Sequence, residues 1–122
     1  MDTKIRLLVV DDEKETCELM ETYLKAKGYE VLTVLSGKDA ISSVKEKSPK
    51  VIILDKRMPE MDGIETLQAI RQFDKTVKVF MLSGDELDAA TGSILKELGV
   101  LGYLHKPISI PELNTALKSV SG

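Results

Sequence analysis

Short apolar runs alternate with helical patterns five times along this chain, and that alternation restricts the fold more than any other feature. Ile5–Val10 is almost continuously apolar, as a strand covered on both faces must be. Glu13–Lys27 then places Cys17, Met20 and Leu24 at helical spacing, with Gly28 as its C-cap. Glu30–Val34 is the second predicted strand. Ser36 is placed to cap a helix carrying Ala40, Ile41 and Val44, which ends before Pro49. Val51–Leu54 is the third strand, and Met61, Ile64, Leu67 and Ile70 mark the third helix. Lys78–Leu82 is the fourth strand, followed by a helix with Leu87, Ala90, Ile94 and Leu98 that Gly99 closes. Gly102–His105 is a short fifth strand. Ser109-Ile110-Pro111-Glu112 has the pattern of a capping box opening a last helix with Leu113, Ala116, Leu117 and Val120. Strict strand–helix alternation with short connections predicts an α/β fold, a parallel sheet with helices on both faces. Five units are too few for an eight-stranded barrel, which leaves a doubly wound (βα)5 open sheet.

The 122 residues make one domain, 1–122, large enough to fold without disulfides or metals as staples. Internal repeats, low-complexity tracts and a linker are absent, and no output domain is expected after Val120. The tail Ser119–Gly122 is either a chain end or the stub of a linker. With 43% hydrophobic and 4% aromatic residues, the core must be aliphatic. A net charge of −3 argues against non-specific nucleic-acid binding, which needs a basic footprint. Strictly apolar runs such as Leu7–Val10, Val51–Leu54 and Val79–Leu82 fall far short of the ~20 residues of a membrane span. Met1-Asp2-Thr3-Lys4 leads into a short apolar run with charge soon after, unlike a secretory leader. Cys17 is the lone cysteine, so no internal disulfide can form, and a cytoplasmic location is expected.

In open α/β sheets, ligands bind at the carboxyl ends of the strands. Strand one is followed by Asp11, Asp12 and Glu13, and strand three by Asp55, Lys56 and Arg57. Ser83, Gly84 and Asp85 follow strand four, and Lys106 and Pro107 follow strand five. Taken singly, each has a plain reading. Asp11-Asp12 caps a helix, Asp55 is a turn residue, Ser83-Gly84-Asp85 is a turn with an N-cap, and Lys106-Pro107 is a loop. Their conjunction is more informative. If the strand order is 2-1-3-4-5, strands one and three are neighbours about 4.8 Å apart, which brings Asp11, Asp12 and Asp55 together. Three carboxylates so close raise one another's pKa, and a cation resolves the repulsion. Hard oxygen donors at a water-accessible edge suit Mg²⁺ better than Zn²⁺.

These motifs carry a resemblance over Ile5–Val120. The acidic pair in Leu7-Leu8-Val9-Val10-Asp11-Asp12-Glu13, the block from Val51 through Asp55-Lys56-Arg57-Met58-Pro59-Glu60-Met61-Asp62-Gly63, Ser83-Gly84, and Tyr103-Leu104-His105-Lys106-Pro107 resemble the receiver domain of two-component response regulators. The resemblance implies a flavodoxin-like sheet in the order 2-1-3-4-5. It implies that Asp55 is the phosphoacceptor, receiving a phosphoryl group from a sensor histidine kinase or phosphotransfer protein. Asp12 and Asp55 match direct Mg²⁺ ligands, Asp11 matches one acting largely through metal-bound water, and the backbone carbonyl of Arg57 matches the third protein ligand. Lys106 and Ser83 match the groups that engage phosphoryl oxygens, and Gly84 is a small residue leaving room beside them. Tyr103 matches the aromatic switch residue, and the Lys106–Pro107 bond is implied to be cis. Signalling is implied through the face of helix four, strand five and helix five, toward an unknown target, with a homodimer through that face as one option.

Three local features depart from the pattern or are peculiar to this chain. Lys56 stands where an apolar or aromatic residue is common, and Arg57 and Asp85 are charged rim residues expected to face each other across the site. Paired, they would govern water access and the phosphoryl lifetime; the plainer reading is a solvated pair worth under about 1 kcal/mol. Lys50, commonly acidic in the family, lies far from the chemistry. His105 is expected to point out of its strand with no ligand role, Cys17 to pack in the core, and Met58 and Met61 to serve packing. Asp62-Gly63 reads as a turn into a helix. An aspartate-nucleophile phosphatase of the haloacid-dehalogenase type would need a second Asp where Arg57 stands, so turnover of a separate substrate is not expected. A phosphorylation-independent docking module is the remaining alternative, weakened because all five chemical positions are filled.

Overall fold

The computed structural model describes residues 4–120. The expected absence of a leader at Met1–Lys4 and the reading of the Ser119–Gly122 tail rest in part on residues outside that range. The element order is β1 (Arg6–Val10), α1 (Lys14–Ala26), β2 (Glu30–Val34), α2 (Gly37–Lys47), β3 (Val51–Asp55), α3 (Gly63–Arg71), β4 (Lys78–Ser83), α4 (Ala89–Glu97), β5 (Val100–His105) and α5 (Ile110–Lys118). All strand pairs are parallel, in the order β2-β1-β3-β4-β5. Among the described residues, no helix is long and apolar enough to cross a membrane.

Alternation along the strands sorts the core into two layers. Leu7 and Val9 of β1 and Ile53 of β3 face Cys17, Met20, Leu24, Leu113 and Leu117 of α1 and α5. Leu8, Val10, Ile52 and Leu54 face Ala40, Val44, Leu67, Ile70 and Leu95 of α2, α3 and α4. Each fully buried Leu or Ile contributes roughly 1.5–3 kcal/mol. The buried strand β3 lies between β1 and β4, so its end is fixed on both sides.

Helix ends follow local chemistry. Ser36 Oγ accepts from the Asp39 N–H and caps α2. Asp62 and Glu65 form a reciprocal capping box on α3. Met61 therefore precedes α3 rather than belonging to it. Leu87 likewise lies before α4, which starts after its cap Asp88. At α5 only half of the expected box forms. Ser109 Oγ accepts from the Glu112 N–H, but the Glu112 carboxylate turns to His105, accepting from its backbone N–H at 2.7 Å and lying 2.8 Å from Nδ1. These contacts, the backbone one foremost, hold the Glu112 carboxyl below its ordinary range. Strand β5 begins at Val100 rather than Gly102, because the β4–β5 register shifts between Val79 and Phe80 and admits the extra residue Leu101.

Two features brace the ends of the sheet. At the N-terminal edge, the part-buried Arg71 donates to the carbonyls of Leu98, Asp74 and Val77, joining the end of α3 to the turns on either side of α4 and β4. At the opposite edge, the Gly63 N–H donates to the Lys56 carbonyl at 2.9 Å. A Cβ on Gly63 would overlap the Asp55 carbonyl oxygen and sit 2.9 Å from Lys56 Cα. Only glycine lets α3 start so close to the end of β3. Gly63→Ala is expected to destabilise the protein by about 2–3 kcal/mol, because the obstruction is backbone. A lower urea midpoint at unchanged m-value is the check.

Candidate functional site

The C-terminal edge of the sheet gathers the residues singled out above. Asp11 follows β1 and is 0% exposed, while Asp55 ends β3 at 3% exposed. Asp12, next in the chain, is exposed. One carboxylate oxygen from each of the three lies within 4.8 Å of the others. Asp11 Oδ1 accepts the Glu13 N–H at 2.8 Å, and Asp55 Oδ1 accepts the Arg57 N–H at 3.2 Å, so local turns orient both carboxylates. The Cys17 thiol donates to the Asp11 carbonyl at 3.3 Å, behind the site. Burial, then the Asp11 charge, pushes that thiol up to about 11, so it stays an unreactive packing group.

Lys106 arrives from β5, its backbone N–H donating to the Ser83 carbonyl at 3.0 Å. The Lys106–Pro107 peptide is cis. Its Nζ lies 2.6 Å from Glu13 Oε1, 2.9 Å from Asp11 Oδ2 and 3.1 Å from Asp55 Oδ2. Burial disfavours the ammonium, but the carboxylates of Glu13, Asp11 and Asp55 beside it outweigh that and raise its pKa well above the ordinary lysine value. The approach to Asp11 Oδ2 is off the axis of a hydrogen bond, which leaves that buried oxygen without a hydrogen-bond partner. A buried carboxylate oxygen that accepts no hydrogen bond, beside two further carboxylates, is a donor set of hard oxygens, and it fits Mg²⁺.

The Asp55 carboxyl is pushed up to about 6, first by burial and then by the Asp11 charge, against the pull of Lys106 and the Arg57 N–H. Like charges sharing one site produce such a shift.

Around the rim, Arg57 pairs with Asp85, as their positions predict. Asp88 caps α4 by accepting the Thr91 N–H, which holds its carboxyl low, with Lys56 adding a smaller pull. The Ser83 hydroxyl is buried, donates to the Asp85 carbonyl and accepts the Asp85 N–H, both at 3.1 Å, and so points along its own loop. Gly84 lies beside the Lys106 stem: a Cβ there would meet Lys106 Cβ at an ordinary 3.8 Å, so the backbone has room for alanine as well. Tyr103 faces out of β5 at 40% exposed, and His105, also outward, is held by Glu112. Met58 packs in the α2–α3–α4 layer.

The sequence places Glu13 at this edge but assigns it no role there. It follows the acidic pair at the N-cap of α1, where Ser, Thr, Asp or Asn caps well and Glu does not. That poor cap is the signal that pointed to another use of its carboxylate.

The response regulator receiver domain profile matches residues 7–118. The alkaline phosphatase synthesis transcriptional regulatory protein PhoP of Bacillus subtilis is 34% identical over 117 residues, 94% of this chain and 48% of its own length. The transcriptional regulatory protein PrrA of Mycobacterium bovis is 36% identical over 124 residues, 98% of this chain and 52% of its own. This chain thus spans about half the length of these curated relatives. The solved structure of the chemotaxis protein CheY4 of Vibrio cholerae superposes with a TM-score of 0.90 at 30% identity, covering 97% of this chain and 99% of that one.

Without metal, Asp55 in the native state keeps its proton to a higher pH than in the unfolded chain, whose carboxyl titrates near 3.8. The stability this contributes is complete below about pH 4 and is lost as pH rises through about 6. Urea unfolding in EDTA across pH 4–7 is expected to show this fall, about 2 kcal/mol at most, in wild type and not in Asp55→Asn.

Proposed function

The chain belongs to the response regulator receiver family, and on that footing we propose that it is a phosphorylation-driven signalling switch whose acceptor is Asp55. The carrying observation is the buried Asp55 carboxylate, held beside Asp11 with the Lys106 ammonium at 3.1 Å, at the open edge of the sheet. Receiver domains are switches rather than turnover enzymes, and their family binds Mg²⁺ at an acidic pocket. The carboxylate oxygens of Asp11, Asp12 and Asp55, with the Arg57 backbone carbonyl, are the groups that would hold it. Bound there, Mg²⁺ supplies charge neutralisation to phosphoryl oxygens.

An Asp55 oxygen attacks the phosphorus of a phosphohistidine on a sensor kinase or phosphotransfer protein, or of a small donor. The P–N bond breaks in the first case, the imidazole leaves, and an aspartyl phosphate forms. Lys106 enters the reaction already charged and gives an N–H to a phosphoryl oxygen. Ser83 exchanges its bonds within the Asp85 loop for another phosphoryl oxygen. That movement frees space for Tyr103 to turn inward from its outward position, changing the α4–β5–α5 face that a target, an output domain or a second copy would read. The Arg57–Asp85 pair closes the rim and limits water access to the acyl phosphate.

Residues 1–122 form a single receiver domain in this reading, acting in the cytoplasm. The half-length coverage of PhoP and PrrA favours a second arrangement, in which the same domain works within a longer regulator.

Intact mass after incubation with acetyl phosphate tests the acceptor. One Mg²⁺-dependent phosphoryl adduct is expected in wild type and none in Asp55→Asn, and an adduct that survives the substitution refutes the assignment. Lys106→Ala should still take up phosphate while losing the conformational response, read as a phosphorylation-induced shift of the Tyr103 ring resonances. Arg57→Ala and Asp85→Ala should each shorten the phosphoryl lifetime several-fold, and unchanged decay in both discards the rim role.

A further inference from the structure

The Glu13 carboxylate is diverted from the task its position offers. Glu13 is the N-cap residue of α1, with extended backbone, yet its side chain makes no capping bond. It reaches across to β5 and accepts from Lys106 at 2.6 Å, the shortest of the three contacts to that ammonium. The Glu13 side chain is 62% exposed, so burial does not force this placement. A lysine ammonium has three N–H donors and no more. Here Glu13 and Asp55 each accept one of them, and Asp11 Oδ2 crowds the ammonium at 2.9 Å.

We propose that Glu13 is a positioning residue that restrains Lys106 and so opposes phosphoryl binding at Asp55, making it a built-in brake on activation. The inference rests on the phosphoacceptor reading above. An arriving phosphoryl group must win an N–H from Lys106. Asp55 gives up one of its oxygens to the new bond, so its claim on the ammonium weakens. Glu13 stands outside the three-carboxylate cluster, is not consumed by the reaction, and keeps its claim. The phosphoryl group must therefore displace Glu13 or share the ammonium with it. Lys106 and Glu13 also line one cavity with Thr16, Leu19 and Ile108, so a released Glu13 carboxylate has open space beside α1 to enter.

The test is calorimetric titration of Mg²⁺-loaded protein with beryllofluoride, a mimic of the phosphoryl group. Glu13→Gln keeps the shape and removes the charge, and it is expected to tighten binding about five-fold, the scale of one part-exposed ion pair. In a Lys106→Met background, Glu13→Gln should have no effect, because the brake acts through the lysine. Unchanged or weaker binding in Glu13→Gln overturns the proposal. So does equal tightening with and without Lys106, which would mark simple charge repulsion. Failure of wild type to bind beryllofluoride would remove the phosphoacceptor reading instead. The restraint is then judged on the Lys106 ammonium signal in ¹⁵N NMR: broadening of that signal in Glu13→Gln sustains it, and an unaltered signal overturns it.

Discussion

Two carboxylates leave water at the adjoining ends of β1 and β3, and much of the molecule is organised around that cost. Asp11 and Asp55 are both buried, both negative when ionised, and placed next to each other by strand pairing. Left alone they would repel. One backbone N–H on each and a shared ammonium offset part of the penalty, and the remainder appears as the raised Asp55 pKa. The site is therefore built to welcome positive charge, whether from a lysine or from a divalent cation.

The free energy that holds this arrangement comes from the aliphatic layers behind it. Leu7 to Val10 and Val51 to Leu54 are sealed on both faces, so neither strand can slip without exposing its apolar residues. Glycine at position 63 then lets a helix start directly against the end of β3 and fixes the loop that orients Asp55. Crowded charge is tolerable at one edge because the hydrophobic sandwich beneath it is stable and well registered.

Most of this was legible in the residues. The strand periods, the caps at Ser36 and Asp62, and the convergence of Asp11, Asp12, Asp55 and Lys106 follow from hydrophobic spacing and the rule for parallel sheets. The pairing of Arg57 with Asp85 follows from their loop positions. What escaped was decided by competition between partners. Glu112 had two acceptable uses, as a capping-box carboxylate or as an acceptor for His105, and tertiary geometry chose the second. Glu13 is a poor N-cap, which frees its carboxylate, but where that carboxylate reaches depends on the placement of Lys106 across the sheet. The extra residue in β5 is a register irregularity, and hydrophobic spacing carries no signal for a single outward Leu101.

The three carbonyl bonds of Arg71 give the molecule a mechanical polarity. They lash the end of α3, the turn before β4 and the turn before β5 into one unit at the N-terminal edge of the sheet. At the other edge, the Ser83 hydroxyl, the Lys106 ammonium and the Arg57–Asp85 pair each engage their partners through side chains. α4 buries only Leu95 and lies between these two ends. Its C-terminal end is thus anchored through the Leu98 carbonyl, while its start is tied down by neither edge's core, and the two ends of one short helix are held by different kinds of bond.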